Sequence, residues 1–228
     1  MHIPDGWVDP AFLLVTWIIT VSVLVLCLYK TRDFDETRIT YMAVLGGTIF
    51  AAQMLNFPII GGTSGHLLGG ALAASIVGPW GGILVITIVL LIQALLFADG
   101  GIIALGANIF NMAIVGVLVG YIIIRQLMLN IEPEAHKIRY YGGVFLGAFL
   151  SVLMGSFFAA IEIGIPIFNN LATIPFTVTL PTILFYHTLI GIAEGFITTF
   201  IVIYFNTIEM NVFLAVTKPF PKISNTKR

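Results

Sequence analysis

Seven apolar runs succeed one another along the chain, at about residues 11–29, 40–55, 66–78, 81–97, 104–124, 140–163 and 180–205, with short polar or Gly/Pro-rich breaks between them. A hydrocarbon layer about 30 Å thick takes roughly 20 apolar residues per helical span. The pattern therefore predicts an all-α polytopic membrane protein with about seven transmembrane helices. The third run is short and rich in glycine, so it is expected to enter the membrane obliquely or only partway, which is tolerated where protein surrounds it. Its beginning is a candidate interior site.

Composition strengthens this picture. Of 228 residues, 59% are hydrophobic and 9% charged, against about 25% charged in soluble domains. A single membrane domain over 1–228 is expected, with 1–10 an outer arm and 206–228 a cytoplasmic tail. Cys27, the one cysteine, excludes an internal disulfide or a cysteine-based metal cluster. No Lys or Arg precedes the first run and no small-residue cleavage site follows it, so the N-terminus is expected to stay uncleaved.

The ten basic residues sort by position. Lys30, Arg32 and Arg38 follow the first run; Arg125, Lys137 and Arg139 follow the fifth; Lys218, Lys222, Lys227 and Arg228 follow the seventh. Excess positive charge marks cytoplasmic loops, which puts the N-terminus outside and the C-terminus in the cytoplasm of a plasma-membrane protein. The outer face then carries Asp5, Asp9, Asp99 and Glu162 and no Lys or Arg. Its field favours an arriving cation, although membrane insertion alone also accounts for the missing bases. Small residues recur every fourth position at Gly143, Gly147, Ser151, Gly155 and Ala159, a smooth stripe for close helix approach, either within the chain or against another membrane subunit. No Walker A pattern and no nucleic-acid motif occur. ATP-driven transport would need its ATPase on another chain.

This topology brings together Met1-His2-Ile3-Pro4-Asp5-Gly6, Gly61-Gly62-Thr63-Ser64-Gly65-His66 and Ala98-Asp99-Gly100-Gly101. A histidine in second position offers three adjacent nitrogens: the Met1 amine, its own peptide nitrogen and its imidazole. They close fused chelate rings in one plane. A fourth nitrogen from His66, expected at the start of the third helix, completes a square that suits Ni(II) or Cu(II), with Co(II) also accommodated. Retention of Met1 is expected because histidine is too large a second residue for its removal. Asp5 or Asp99 is a candidate acceptor from a ligating imidazole, and Asn108 and Asn111 are candidates to steady the loops. The duller readings are a loose terminal His2, a helix-capping His66, a turn-forming Asp99 and asparagines that join helices.

His187 and Glu194 lie on one face of the seventh run, about 10 Å apart by helical rise. Glu194 falls near the midplane, where an ionisable residue is neutral or partnered and is a functional candidate. Its ordinary partners would be Gln53 or Gln93. His136, between Glu134 and Lys137, reads as a solvated loop residue.

At these residues the chain resembles the CbiM/NikM family, the substrate-binding membrane subunits of cobalt and nickel energy-coupling-factor importers. The resemblance rests on Met1 to Gly6, Gly61 to His66, the stretch Gln93 to Ala113 with Phe97-Ala98-Asp99-Gly100-Gly101 and Asn108-Ile109-Phe110-Asn111-Met112, and His187 to Gly195. It implies an importer in which a transmembrane coupling subunit and two cytoplasmic ATPase subunits drive this chain, often with a small accessory membrane subunit. It also implies nickel or cobalt as cargo, held by the terminal amine, His2 and His66, with cobalt uptake serving cobalamin biosynthesis. The opening hexapeptide is closer to the nickel branch than to the typical cobalt opening. A reading from a different class sets Ser64, in Gly62-Thr63-Ser64-Gly65, and His187 as the catalytic pair of a rhomboid-like intramembrane protease. That reading leaves His2 and His66 unexplained.

Overall fold

The computed structural model describes residues 1–59, 62–128, 137–168 and 174–207. Helix α1 spans Pro10–Thr31, with Asp9 accepting from the Ala11 nitrogen at 2.9 Å and Pro10 in the first turn, where its missing N–H costs nothing. Helix α2 spans Glu36–Gln53 and is capped by Asp35, which accepts from the Arg38 nitrogen at 2.9 Å. Strands β1 (Phe57–Ile59) and β2 (Thr63–Gly65) form an antiparallel pair with Pro58 opposite Ser64. This hairpin was not anticipated, since three-residue strands leave no periodic signal.

Helix α3, Gly70–Leu96, is broken at Gly78, whose φ of 80° and ψ of 172° are not helical; Pro79 follows. A Cβ built on Gly82 would lie 3.1 Å from the Ala74 nitrogen. Residues eight apart on an unbroken helix are about 12 Å apart, so the chain doubles back at Gly78. A short arm, 70–77, packs against a longer one, 79–96. The short glycine-rich third run thus forms a partial arm buried in protein.

Helix α4 (Leu105–Asn108) continues through a π-helical segment, Ile109–Val115, into α5 (Gly116–Met128). Helices α6 (Lys137–Gly164) and α7 (Phe176–Thr207) complete the bundle. Among the described residues, five helices are long and apolar enough to cross a membrane: Pro10–Thr31, Gly70–Leu96, Leu105–Leu127, Ile138–Gly164 and Phe176–Thr207. The expected count was seven, and the difference has two sources. The third and fourth runs belong to one folded element, and α2 opens on Glu36 and Arg38 and is the least apolar of the long helices.

Apolar side chains such as Leu14, Ile18, Val25, Phe185, Phe196 and Phe200 are exposed on α1 and α7, as expected of surfaces solvated by lipid. The chain is a multi-pass membrane protein. The small-residue stripe is consumed inside it. Positions for a Cβ on Gly143 and Gly147 abut Leu127 and Ile124 of α5, and Ser151 donates to the Gly116 carbonyl at 2.7 Å. Internal packing, rather than a face for another subunit, accounts for these residues. His136, Gly61 and the part of the expected cytoplasmic tail beyond Thr207 lie outside the described residues.

Candidate metal centre

The N-terminal arm is threaded into the core. Met1 and Ile3 are fully buried and His2 is 4% exposed. The chain achieves this by giving each backbone group a partner. The Ile3 nitrogen donates to Asn108 Oδ1 at 2.8 Å, while Asn108 Nδ2 and the Gly101 nitrogen donate to the Ile3 carbonyl at 3.1 and 2.9 Å. Thr63 Oγ1 donates to the His2 carbonyl at 3.2 Å. The Met1 side chain lies over Gly155, where a Cβ would come within 2.8 Å of its methyl carbon.

Four nitrogens meet at the buried end of this arm. The Met1 amine is 3.3 Å from Ser64 Oγ, the His2 peptide nitrogen 3.1 Å and His2 Nδ1 3.3 Å. One hydroxyl therefore sits nearly equidistant from three nitrogens, accepting from the amine and the peptide N–H and donating to the imidazole. His66 Nε2 is in direct contact with the same amine, and the two imidazoles stack with centroids 4.5 Å apart.

Each imidazole has its free nitrogen turned inward by a bond on its other nitrogen. His66 Nδ1 donates to the Leu67 carbonyl at 2.8 Å, which leaves the Nε2 lone pair facing the amine. His2 Nε2 donates to Gln93 Oε1 at 3.0 Å, which leaves the Nδ1 lone pair toward Ser64 and toward Asp99 Oδ1 at 3.2 Å. Burial pushes the Met1 amine well below its usual range, against the pull of Asp99. Burial first, and the amine's charge second, push His2 down to about 3, against the hydrogen bond to Gln93. His66 is lowered by burial, then by the amine and His2. Burial raises Asp99, opposed by the amine and by Asn56, whose Nδ2 donates to Asp99 Oδ2 at 2.6 Å. The imidazoles are therefore neutral at physiological pH, with lone pairs free to bind a cation.

The segment carrying His66 is pinned from two helices. Glu194 accepts from the Leu68 and Gly69 nitrogens at 2.5 and 2.9 Å, and Gln53 Nε2 donates to the Leu68 carbonyl at 2.7 Å. His66 accordingly stands four residues ahead of α3, in irregular chain just after β2, rather than at a helix start. The expected pairing of Glu194 with Gln53 or Gln93 is replaced by backbone N–H groups; Gln53 serves the same segment from the other side.

Other expectations shift as well. Asp5 accepts from the Ile102 and Ala104 nitrogens at 3.1 and 2.9 Å and steadies the loop before α4 instead of an imidazole. Asn108 does steady the arm, whereas Asn111 donates to Glu162 at 2.6 Å between the π-helical segment and α6. His187 donates from Nδ1 to the Ile183 carbonyl at 2.8 Å, and its Nε2 is buried without a hydrogen-bond partner. Ser64 bonds to the arm and not to His187, so the protease pair is not formed. Gln93 was missed as the orienting partner of His2. The helical spacing of Gln93 within an apolar run was its one available signal.

Among the described residues, no group of three or more His, Cys, Asp or Glu side chains could hold a metal ion. The cluster has instead two imidazoles with an amine and a peptide nitrogen, a donor set that such a count does not include.

The chain is a member of the CbiM family, the cobalt uptake substrate-specific transmembrane region, which it matches over residues 2–212. A protein of Archaeoglobus fulgidus named as a fused nickel transport protein, NikMN, is 41% identical over 204 residues, covering 90% of this chain and 65% of that protein. This chain therefore spans slightly less than two thirds of that relative's length. The cobalt transport protein CbiM of Thermosipho melanesiensis is 34% identical over 164 residues, 71% of this chain and 68% of that one. A solved structure described as a transition metal transporter superposes with a TM-score of 0.83 at 33% identity, over 94% of this chain and 96% of that one.

Proposed function

We propose that this chain is the cargo-binding membrane subunit of a nickel or cobalt importer and captures one divalent ion at the outer membrane face. The cargo is held by the Met1 amine, the ionised His2 peptide nitrogen, His2 Nδ1 and His66 Nε2. The observation that carries this reading is the convergence of three nitrogens on Ser64 Oγ at 3.1–3.3 Å, with His66 Nε2 against the amine. Ser64 Oγ partners the amine, the peptide nitrogen and His2 Nδ1, which holds three of the four proposed donors around one point. Planar four-nitrogen fields favour Ni(II) among the ions named for the relatives and also accept Co(II).

The bases of this chain lie at one end of its topology, which supports an outward arm and a cytoplasmic tail. No nucleotide-binding pattern is present in the sequence, so the work of import falls to a coupling membrane subunit and two ATPase subunits, with a small accessory membrane subunit. The test is metal analysis of the purified chain titrated with Ni(II) and Co(II), with X-ray absorption on the saturated sample. One ion per chain, an all-nitrogen equatorial shell and release of at least one proton per ion, from the peptide N–H, are expected. Substoichiometric binding, or a shell dominated by oxygen, defeats the reading.

A further inference from the structure

The cargo just proposed does not balance its own charge. A divalent ion with one ionised peptide nitrogen, a neutral amine and two neutral imidazoles leaves a net charge of +1. His2 is 4% and His66 2% exposed, and an uncompensated charge buried at such a depth is costly. A carboxylate beside the nitrogens would make the occupied centre neutral.

Five carboxylates approach this end of the bundle, and four have both a place and a duty elsewhere. Asp5 holds the backbone before α4, Asp9 accepts from the Ala11, Ile167 and Phe168 nitrogens, Glu194 holds Leu68 and Gly69, and Glu162 holds Asn111. Asp99 alone faces a chelating atom, with Oδ1 3.2 Å from His2 Nδ1. Since His2 Nε2–H is committed to Gln93, Nδ1 presents a lone pair to Asp99, so two acceptors face each other. Such a contact is relieved when a cation binds between or beside them.

The backbone is shaped to hold the carboxylate there. Ala98 has φ of 53°, the one positive φ outside glycine among the described residues, a conformation that stores strain in a residue with a Cβ. Gly100, with φ of 93°, approaches His2 so closely that a Cβ would lie 3.3 Å from its ring. The turn thus sets Asp99 above His2 with its side chain 17% exposed, between the buried nitrogens and solvent.

We propose that Asp99 is the charge-balancing residue of the centre: its carboxylate, without joining the four equatorial nitrogens, cancels the remaining positive charge and fixes the preference for a divalent ion. This rests on the nitrogen chelate proposed above. On binding, the His2 peptide proton leaves to solvent, the ion's two positive charges meet the peptide nitrogen's and the carboxylate's single negative charges, and no electron is transferred.

The test is Ni(II) titration of detergent-purified native protein, Asp99→Asn, Asp99→Glu and Asn56→Ala, with the absorption spectrum of each saturated sample. Asp99→Asn is expected to weaken binding about thirtyfold to a hundredfold and to leave the spectrum of the saturated complex unchanged. Asp99→Glu should recover most of the loss. Asn56→Ala, which removes only the hydrogen bond to the carboxylate, should cost less than about fivefold. Unchanged affinity in Asp99→Asn overturns the proposal, as does a changed spectrum, which would make Asp99 a ligand. A loss in Asn56→Ala equal to that in Asp99→Asn also overturns it, by reducing Asp99 to a brace for the loop. Failure of the native protein to bind Ni(II) defeats the chelate itself, an outcome separate from these.

Discussion

The contact between α5 and α6 and the cluster beneath the N-terminal arm are both buried, yet they are built on opposite principles. The first is a fit of shapes. Gly143, Gly147 and Ser151 let one helix lie against the other, and Ser151 to Gly116 is its one buried side-chain hydrogen bond among these residues. The second is a fit of hydrogen bonds: Ile3, His2, Leu68 and Gly69 are extended or irregular backbone inside the bundle, and Asn108, Thr63, Gln53 and Glu194 supply their partners. Irregular backbone at such depth is tolerated only when each polar group is satisfied from within the protein. The shape-built interface sets the stability of the bundle. The bond-built cluster sets the precision with which four nitrogens meet.

That division predicts which damage each region suffers. His66→Ala removes a nitrogen from the cluster but no packing surface from α5 or α6, so the purified protein should remain monodisperse while Ni(II) affinity falls more than about a hundredfold. Calorimetric titration beside gel filtration checks both halves, and retained affinity removes His66 from the centre. Gly147→Val does the reverse. A Cβ there would meet Ile124 and lie 3.1 Å from the Gly120 carbonyl, so thermal unfolding in detergent should reveal destabilisation of about 2 kcal/mol. Affinity per folded molecule should change less than about threefold. A binding loss as large as that of His66→Ala would show that the two regions are not separable.

Glu194→Gln gives the smallest effect and bears most closely on the idea of precision. The amide keeps the size of the side chain but can accept with only one of its two heads, leaving the Leu68 or Gly69 N–H without its acceptor. The segment bearing His66 loosens, and Ni(II) affinity should fall about tenfold with an unchanged ligand set. Equal affinity would mean that Gln53 holds the segment unaided.

The two regions also differ in how far they could be read from the chain. The stripe repeats every four residues, and a period is what a sequence displays; the partial entry of the third run was legible for the same reason, in its short length and its glycines. The candidate ligands were legible because a histidine in second position has only a few nitrogens within reach. Of their partners, Asn108 was expected to steady the loops, whereas Gln93, Gln53 and Glu194 contact the cluster across 91, 15 and 126 positions of sequence, and no local pattern states such separations. Asp5 and Asn111 were misplaced for that reason: each is polar and near the right end, but its partner is a backbone or a carboxylate on another element. Five spans rather than seven stand out among the described residues because Gly78 folds the third and fourth runs into one doubled-back element and because α2 is the least apolar of the long helices.

The most direct measurement leaves every side chain unchanged. Two residues added before Met1 convert its amine into a peptide nitrogen and carry the free amine away from His66, whereas a short tag after Arg228 leaves the arm as it is. Nickel content and Ni(II) affinity of the two purified proteins should then diverge, with stoichiometric binding in the C-tagged protein and at least a hundredfold weaker binding in the extended one. Equal, stoichiometric binding by both would show that the Met1 amine is not a ligand and that the chelate centred on His2 does not form.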